Sequence, residues 1–174
     1  MKFKKIIGLD TSTNLTGIGI ITYDSEHKMS VKSTSINLKN QGPFSDAKFK
    51  NMVMAIYDVI KNEKPDVIVI EDNCVEGSNA NMNPFYARKL KNLIGSCMAI
   101  GYIKNTEVIL YSPTQWRSIV RDKTKDWDAH RAYCKAWAIN QVKEIFNITA
   151  TNDDEAEAIL IAYAYIKENK NNDN

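Results

Sequence analysis

The chain has 174 residues, of which 44% are apolar and 25% are charged, and its formal net charge is +2. This size and composition predict one globular domain over residues 1–168 with a frayed tail at 169–174. No stretch is apolar and long enough for a membrane span, and the short apolar run after the basic N-terminus does not predict a signal peptide. We therefore expect a cytoplasmic protein that has no membrane partner.

The first half of the chain predicts a meander of three strands that leads into alternating helices and strands. Residues 4–10 and 16–24 are rich in β-branched side chains, and residues 28–38 alternate enough to form a third strand. Residues 46–64 place apolar side chains at helical spacing. The continuous apolar run over 66–71 predicts a strand that is covered on both faces.

The second half continues this alternation and then becomes helical. The predicted elements are a helix over 84–103, a fifth strand over 107–112, and helices over 112–120, 127–146 and 151–168. The order of elements predicts an α/β fold in which a mixed five-stranded sheet has helices on both faces.

Four acidic side chains occupy places where such a sheet gathers functional groups. Asp10 ends the first strand and Glu71 ends the fourth, while Asp154 and Glu157 share one face of the last helix. A lone acid that ends a buried strand is costly unless it is paired or bound to a metal ion. Because no His or Cys accompanies these acids, the set suits Mg²⁺ or Mn²⁺ rather than zinc.

The C-terminal acids also have a plain structural explanation. The helix dipole favours acids in a first turn, and Thr151 or Asn152 can serve as the N-cap. Asp153 could take the place of Asp154, since residues 153 and 157 also share a face. We favour a metal site because all of these acids occur together with Asp10.

The charges are unevenly distributed along the chain. Residues 81–143 contain eleven Lys or Arg and four Asp or Glu, whereas residues 144–174 contain seven acids and two lysines. A basic middle segment fits a polyanionic partner, and it fits equally well lysines that only solvate helix faces.

Several motifs in chain order resemble the RuvC-type Holliday junction resolvases of the RNase H-like superfamily. The resemblance covers about residues 4 to 167. It is carried by IGLDTSTNLTGIGII around Asp10, VIVIEDNCV around Glu71, the helical NANMNPFYARKLKNLIG, the basic SPTQWR, and DEAEAILIA over 154–162.

The resemblance implies a homodimeric, RNase H-like endonuclease that makes symmetric nicks in a four-way DNA junction. Asp10, Glu71, Asp154 and Glu157 would hold two Mg²⁺ ions per active site, and Mn²⁺ would be able to substitute. The DNA-binding residues would be Arg88, Lys89, Lys91, Arg117, Lys123, Lys125 and Arg131.

The chain departs from the family pattern in three places. The turn after Asp10 reads DTST instead of the frequent Asp-Pro-Gly, and Glu157 stands where the family usually has aspartate. Residues 73–75 lack the aromatic residue that cellular members carry after the second acid. These departures leave open whether other branched DNA is cut as well. The composition suits a bacteriophage protein in the host cytoplasm, or a protein of an AT-rich bacterium.

Three other functions fit parts of the sequence. An actin-like-fold ATPase shares the strand, aspartate and small-residue turn, but residues 107–174 hold no Gly-rich turn for a second phosphate site, and Glu71 is left unexplained. An RNase H that cuts RNA–DNA hybrid would share the metal site. A non-catalytic junction-binding protein is disfavoured because all four acids are present.

Overall fold

The structure, a computed structural model, describes residues 4–24, 26, 28–73, 84–122 and 130–172. The first three strands form an antiparallel meander, and the last two join the free edge of the first strand in parallel. The sheet order is β3-β2-β1-β4-β5. This arrangement confirms the predicted mixed five-stranded sheet. The strands are β1 (Lys4–Asp10), β2 (Leu15–Tyr23), β3 (Met29–Asn37), β4 (Val67–Glu71) and β5 (Glu107–Tyr111).

Helices cover both faces of this sheet, as predicted. Two helices pack on one face and three on the other, so the described residues contain two hydrophobic clusters separated by the sheet. The first pair is α1 (Asp46–Glu63) and α2 (Pro84–Ile103), and the second group is α3 (Pro113–Val120), α4 (Arg131–Phe146) and α5 (Asp153–Asn172). None of the helices in the described part of the chain is long and apolar enough to cross a membrane.

Local sequence signals explain where several elements begin and end. Successive residues of a strand point to opposite faces, so Ile6 and Ile7 enter different clusters, and the strand is apolar on both sides. The side chains of Ser45 and Ser112 cap α1 and α3 by accepting hydrogen bonds from backbone N–H groups. Lys64 in the left-handed region then ends α1.

The helix boundaries differ from the prediction at two places. Helix α5 continues to Asn172, beyond the predicted helix end at residue 168. Before that end, Lys167 Nζ donates to the carbonyl oxygen of Val120, 3.2 Å away. Helix α4 begins at Arg131, and the predicted start at 127–129 lies outside the described residues.

Helix α5 lies unusually close to the backbone of β1 and β2. A Cβ atom at Gly17 would be 2.0 Å from the carbonyl oxygen of Asp154, and one at Gly8 would be 2.1 Å from that of Ala158. Small residues on both elements therefore allow the two backbones to touch. The first turn of α5, which carries the acids, is consequently placed directly over the end of β1.

Candidate active site

The strand order brings Asp10 and Glu71 side by side. Strands β1 and β4 are parallel neighbours in which Leu9 pairs with Ile70, so the two acids end adjacent strands at the same edge of the sheet. Both side chains are buried, with 8% of Asp10 and 3% of Glu71 exposed. A buried pair of carboxylates is unstable without compensation, which marks this edge as a candidate site.

Helix α5 adds two more carboxylates to this pair. Asp154 lies close enough to Asp10 for the two carboxylates to interact, and Glu157 is near enough to repel both Asp10 and Glu71. All four acids that were predicted as metal ligands thus lie in one cluster. We call Asp10, Glu71, Asp154 and Glu157 the acidic cluster.

The pKa values of this cluster reflect burial and mutual repulsion. Burial raises the pKa of Asp10 well above its usual range, and the neighbouring charges of Glu71, Glu157 and Asp154 raise it further. Burial is also the main reason why the pKa values of Asp154 and Glu157 are raised. The cluster is therefore short of positive charge.

The structure shows which of Asp153 and Asp154 faces the other acids, a choice that the sequence left open. Asp154 faces Asp10, whereas Asp153 forms an ion pair with Lys135 on α4. Neighbouring residues of a helix point about 100° apart, so only one of the two aspartates can face the strand ends. Asp154 is the member of the pair that joins the acidic cluster.

Neighbouring side chains donate hydrogen bonds to the carboxylate oxygens of Glu71 and Glu157. Trp116 Nε1 donates to Glu71 Oε2, and Asn73 Nδ2 donates to Glu71 Oε1 at 2.6 Å. Arg117 Nη2 lies 2.8 Å from Glu157 Oε1. Among the described residues, no group of three Asp, Glu, His or Cys side chains is close enough together to hold a metal ion.

The chemistry of the cluster nevertheless fits a hard divalent cation. Its donors are carboxylate oxygens only, and their repulsion is relieved by a positive ion. Thr11, directly after Asp10, supplies a second indication. Its buried Oγ1 has no hydrogen-bond partner among the described residues, and water or a ligand at the site would satisfy it.

The predicted DNA-binding residues fall into three groups. Arg117 lies inside the site, ion-paired with Glu157 and 4.7 Å from the ring centroid of Trp116. Arg88 and Lys91 are exposed on α2, and Lys89 lies beside them over an aromatic ring. The remaining residues cannot be placed in this way: Lys123 and Lys125 lie outside the described residues, as does the side chain of Arg131.

Three residues of the site were missed by sequence reasoning. Trp116 carries no sequence signal beyond that of a residue suited to the core, yet besides being fully buried it donates to Glu71. Asn73 follows Glu71 by two residues, a spacing that gave no signal by itself. Lys135 comes from α4, and nothing in its surrounding sequence indicates that it approaches α5.

We predict that Trp116→Phe leaves the fold intact but lowers its stability by about 1–3 kcal/mol. The change removes the N–H that satisfies the buried Glu71 carboxylate and leaves a small cavity. Urea unfolding of the metal-free protein measures this loss. Trp137→Phe, whose ring lies 6.1 Å from that of Trp116, is the matched control. Equal losses in both variants would show that the hydrogen bond to Glu71 contributes nothing.

The mixed five-stranded sheet with helices on both faces is an RNase H-like fold. No family model matches the chain. It is 25% identical over 163 residues to the crossover junction endodeoxyribonuclease RuvC of Chromobacterium violaceum, covering 93% of this chain and 85% of that protein. It is 28% identical over 172 residues to the RuvC of Wigglesworthia glossinidia brevipalpis, covering 95% and 96%.

A solved structure shows the same fold. The chain matches T. thermophilus RuvC in complex with Holliday junction substrate with a TM-score of 0.73, over 95% of each chain, at 14% identity. The resemblance that the sequence motifs predicted is confirmed: the chain is similar to RuvC proteins both in sequence and in fold.

Proposed function

We propose that the chain is an endonuclease that resolves four-way (Holliday) DNA junctions by metal-dependent hydrolysis of phosphodiester bonds. The observation that carries this proposal is the acidic cluster, which is buried at the edge of the sheet and short of positive charge. The names of the curated relatives, crossover junction endodeoxyribonucleases, support the same activity. The domain that performs it would extend over residues 1–168.

The acidic cluster would hold the metal of this reaction. Asp10, Glu71, Asp154 and Glu157 would bind two Mg²⁺ ions, or Mn²⁺ in their place, because all their donors are hard oxygens. When bound, the ions activate a water molecule and stabilise the leaving oxygen of an in-line displacement. Asp10 and Glu71 are suited to this role because they stand on the ends of paired strands, which hold them rigidly.

Two cations of the chain border the cluster and would bind the phosphate. Arg117 and Lys135 pair with Glu157 and Asp153 in the absence of DNA. Both can exchange these carboxylates for phosphate oxygens once divalent ions take over the acids. The guanidinium of Arg117 would orient the scissile phosphate through charge-assisted hydrogen bonds, and Lys135 would add a second positive charge.

The basic residues outside the site would bind the DNA arms. Arg88, Lys89 and Lys91 lie on α2, which follows the Glu71 strand. Lys123 and Lys125 lie between α3 and α4 in the sequence, and Arg131 begins α4. Phosphate contacts of this kind position the DNA without reading its sequence. They supply the binding free energy that the acidic cluster, which repels phosphate, cannot supply.

We predict that Lys123→Gln with Lys125→Gln weakens junction binding and lowers its salt dependence. Each lost phosphate contact reduces the slope of log affinity against log salt by about 0.9. Fluorescence anisotropy with a labelled junction at several salt concentrations measures both effects. Lys50→Gln with Lys61→Gln on α1 removes the same charge and is the control. An unchanged slope in the 123/125 variant would remove these lysines from the contact surface.

The assembly and location are also proposals. A four-way junction has two strands to cut, and a homodimer would present two equivalent sites to it. Exposed apolar side chains on α2 support a contact surface: Ile103 is 79% exposed and Tyr102 is 62% exposed. A cytoplasmic location, or the host cytoplasm for a bacteriophage protein, places the enzyme with its DNA.

The deciding experiment is Mg²⁺-dependent cleavage of a labelled four-way junction. A fork, a linear duplex and an RNA–DNA hybrid run beside it, with the exposed Asp58→Asn on α1 as a control for the charge change in Asp10→Asn. Paired symmetric nicks in the junction, lost only in Asp10→Asn, are the expected result. Cleavage of the hybrid alone would reassign the protein to RNase H activity, and no cleavage of any substrate would refute the proposal.

A further inference from the structure

A second concave site adjoins the acidic cluster on the side of the β1–β2 turn. It has a volume of about 350 Å³, within the range of ligand pockets, and Thr13 and Asn14 contribute to its lining. These residues follow Asp10 closely, so the Cα atoms of Asp10 and Thr13 are at most about 11 Å apart. The site is therefore a short distance from the position where the scissile phosphate would lie.

Three lysines give this site a positive charge. Lys39, Lys48 and Lys89 line it, and none of the described residues that line it is acidic. We call it the lysine cleft. Lys39 is also close enough to the acidic cluster to attract Asp154. One wall of the cleft thus faces the predicted catalytic centre.

Lys48 is the most informative of the three lysines. Only 2% of it is exposed, and its Nζ donates to Asn14 Oδ1 at 2.7 Å and to the carbonyl oxygen of Gly42 at 2.8 Å. Among the described residues it takes part in no ion pair. A buried ammonium whose partners are neutral oxygens leaves positive charge to be compensated, which favours an anion in the cleft.

Aromatic rings stand at the rim of the same cleft. Phe44 and Tyr86 line it, and Tyr86 is 37% exposed. Lys89 Nζ lies 3.7 Å from the ring centroid of Phe44 and 3.6 Å from that of Phe85. Accessible rings beside lysines form the combination that binds unpaired nucleotides, because bases stack on the rings and phosphates bind the cations.

We propose that the lysine cleft binds one unpaired nucleotide of the DNA strand that is cut. Its base would stack on Tyr86, and its phosphate would contact Lys39 and Lys89. This inference rests on the proposed function, because it requires that the chain binds junction DNA as its substrate. The cleft would hold the strand in register, so that a defined phosphate reaches the metal site.

The test scans a fluorescent base along the junction. Four-way junctions carrying a single 2-aminopurine at successive positions near the branch point are bound to the full chain in EDTA, so that binding is measured without cleavage. Fluorescence and affinity are compared for wild type, Tyr86→Ala, Phe44→Ala with Tyr86→Ala, and Lys39→Gln with Lys89→Gln. Lys104→Gln, directly after α2, and Tyr133→Ala, a tyrosine on α4 that is 39% exposed, are the matched controls.

A fluorescence change at one position, absent in the Tyr86 variants, is the expected result. Affinity falls about tenfold in the double aromatic variant, and the salt slope falls by about one to two in the double lysine variant. Tyr86→Ala alone removes an exposed ring, so its melting temperature should stay at the wild-type value while its fluorescence change is lost.

Two results would overturn the inference, and they are distinguishable. If wild type and all cleft variants bind and cut the junction alike, with the same fluorescence, the cleft holds no nucleotide while the proposed function stands. If wild type neither binds nor cuts the junction, the proposed function fails and the inference fails with it.

Discussion

Replacing Asp10 with asparagine is expected to abolish metal-dependent cleavage and, at the same time, to stabilise the metal-free protein. Cleavage should fall by at least about a thousandfold, because the variant loses the carboxylate at the end of β1 that would bind the metal. Asparagine has nearly the same shape, and it removes a buried charge that Glu71, Glu157 and Asp154 repel. Junction binding should persist, since it depends on the basic surface.

The stabilisation should depend on pH in a defined direction. Burial and repulsion raise the pKa of Asp10, so the folded protein keeps a proton that the unfolded chain has already lost. The free energy of unfolding therefore falls as pH rises from about 3.9, the unfolded value, toward the raised folded value. Asp10→Asn removes this contribution, and its advantage over wild type should be fully developed above the folded pKa.

Thermal unfolding between pH 4 and pH 8, with and without Mg²⁺, measures this prediction. Without metal, the variant should melt higher than wild type near neutral pH by at least about 3 °C, which corresponds to about 1 kcal/mol in a domain of this size. Added Mg²⁺ should raise the melting temperature of wild type more than that of the variant. A variant that melts below wild type at neutral pH would contradict the repulsion, and one that still cuts would remove Asp10 from the metal site.

The second large effect is expected from Gly17→Ala on β2. The added Cβ would stand 2.0 Å from the carbonyl oxygen of Asp154, a backbone atom that can recede only if the start of α5 moves. Overpacking of this kind costs about 3 kcal/mol. Because Asp154 and Glu157 move with α5, cleavage should also fall about a hundredfold, the effect of a displacement of about 1 Å at a catalytic centre.

Gly95→Ala is the counterpart of Gly17→Ala, and it is expected to change the stability of the protein in the opposite direction. Gly95 lies inside α2, and nothing lies within 4 Å of a Cβ added there. Alanine should therefore stabilise the protein by about 0.5–1 kcal/mol through its higher helix propensity. Urea unfolding and junction cleavage are compared for both variants. A Gly17→Ala protein as stable and active as wild type would show that α5 does not need its close approach to β2.

The positions of the acids were predictable because they follow from backbone periodicity. The apolar run that ends at Glu71 predicts a buried central strand, and the structure places it next to β1. The spacing of Asp154 and Glu157 predicts a shared helix face. These inferences depend on patterns within a few residues of sequence. In an open sheet, the carboxyl ends of neighbouring parallel strands lie at the same edge, whichever side chains the strands carry.

The partners of these acids were not predictable from the sequence. Trp116 reaches Glu71 across 45 positions of sequence, and Arg117 reaches Glu157 across 40. Such pairs depend on how α3 is oriented on the sheet, which local patterns do not specify.

The packing of α5 has a consequence for how the protein becomes active during synthesis. Strands β1 and β4 are made first, yet the helix that completes their surface and brings Asp154 and Glu157 comes last among the described elements. At about 5–20 residues per second, translation from Glu71 to Glu157 takes about 4 to 17 seconds. Ribosome-bound chains that end before Glu157 would have no assembled nuclease site, so a nascent or prematurely terminated chain would not nick the DNA of its own cell.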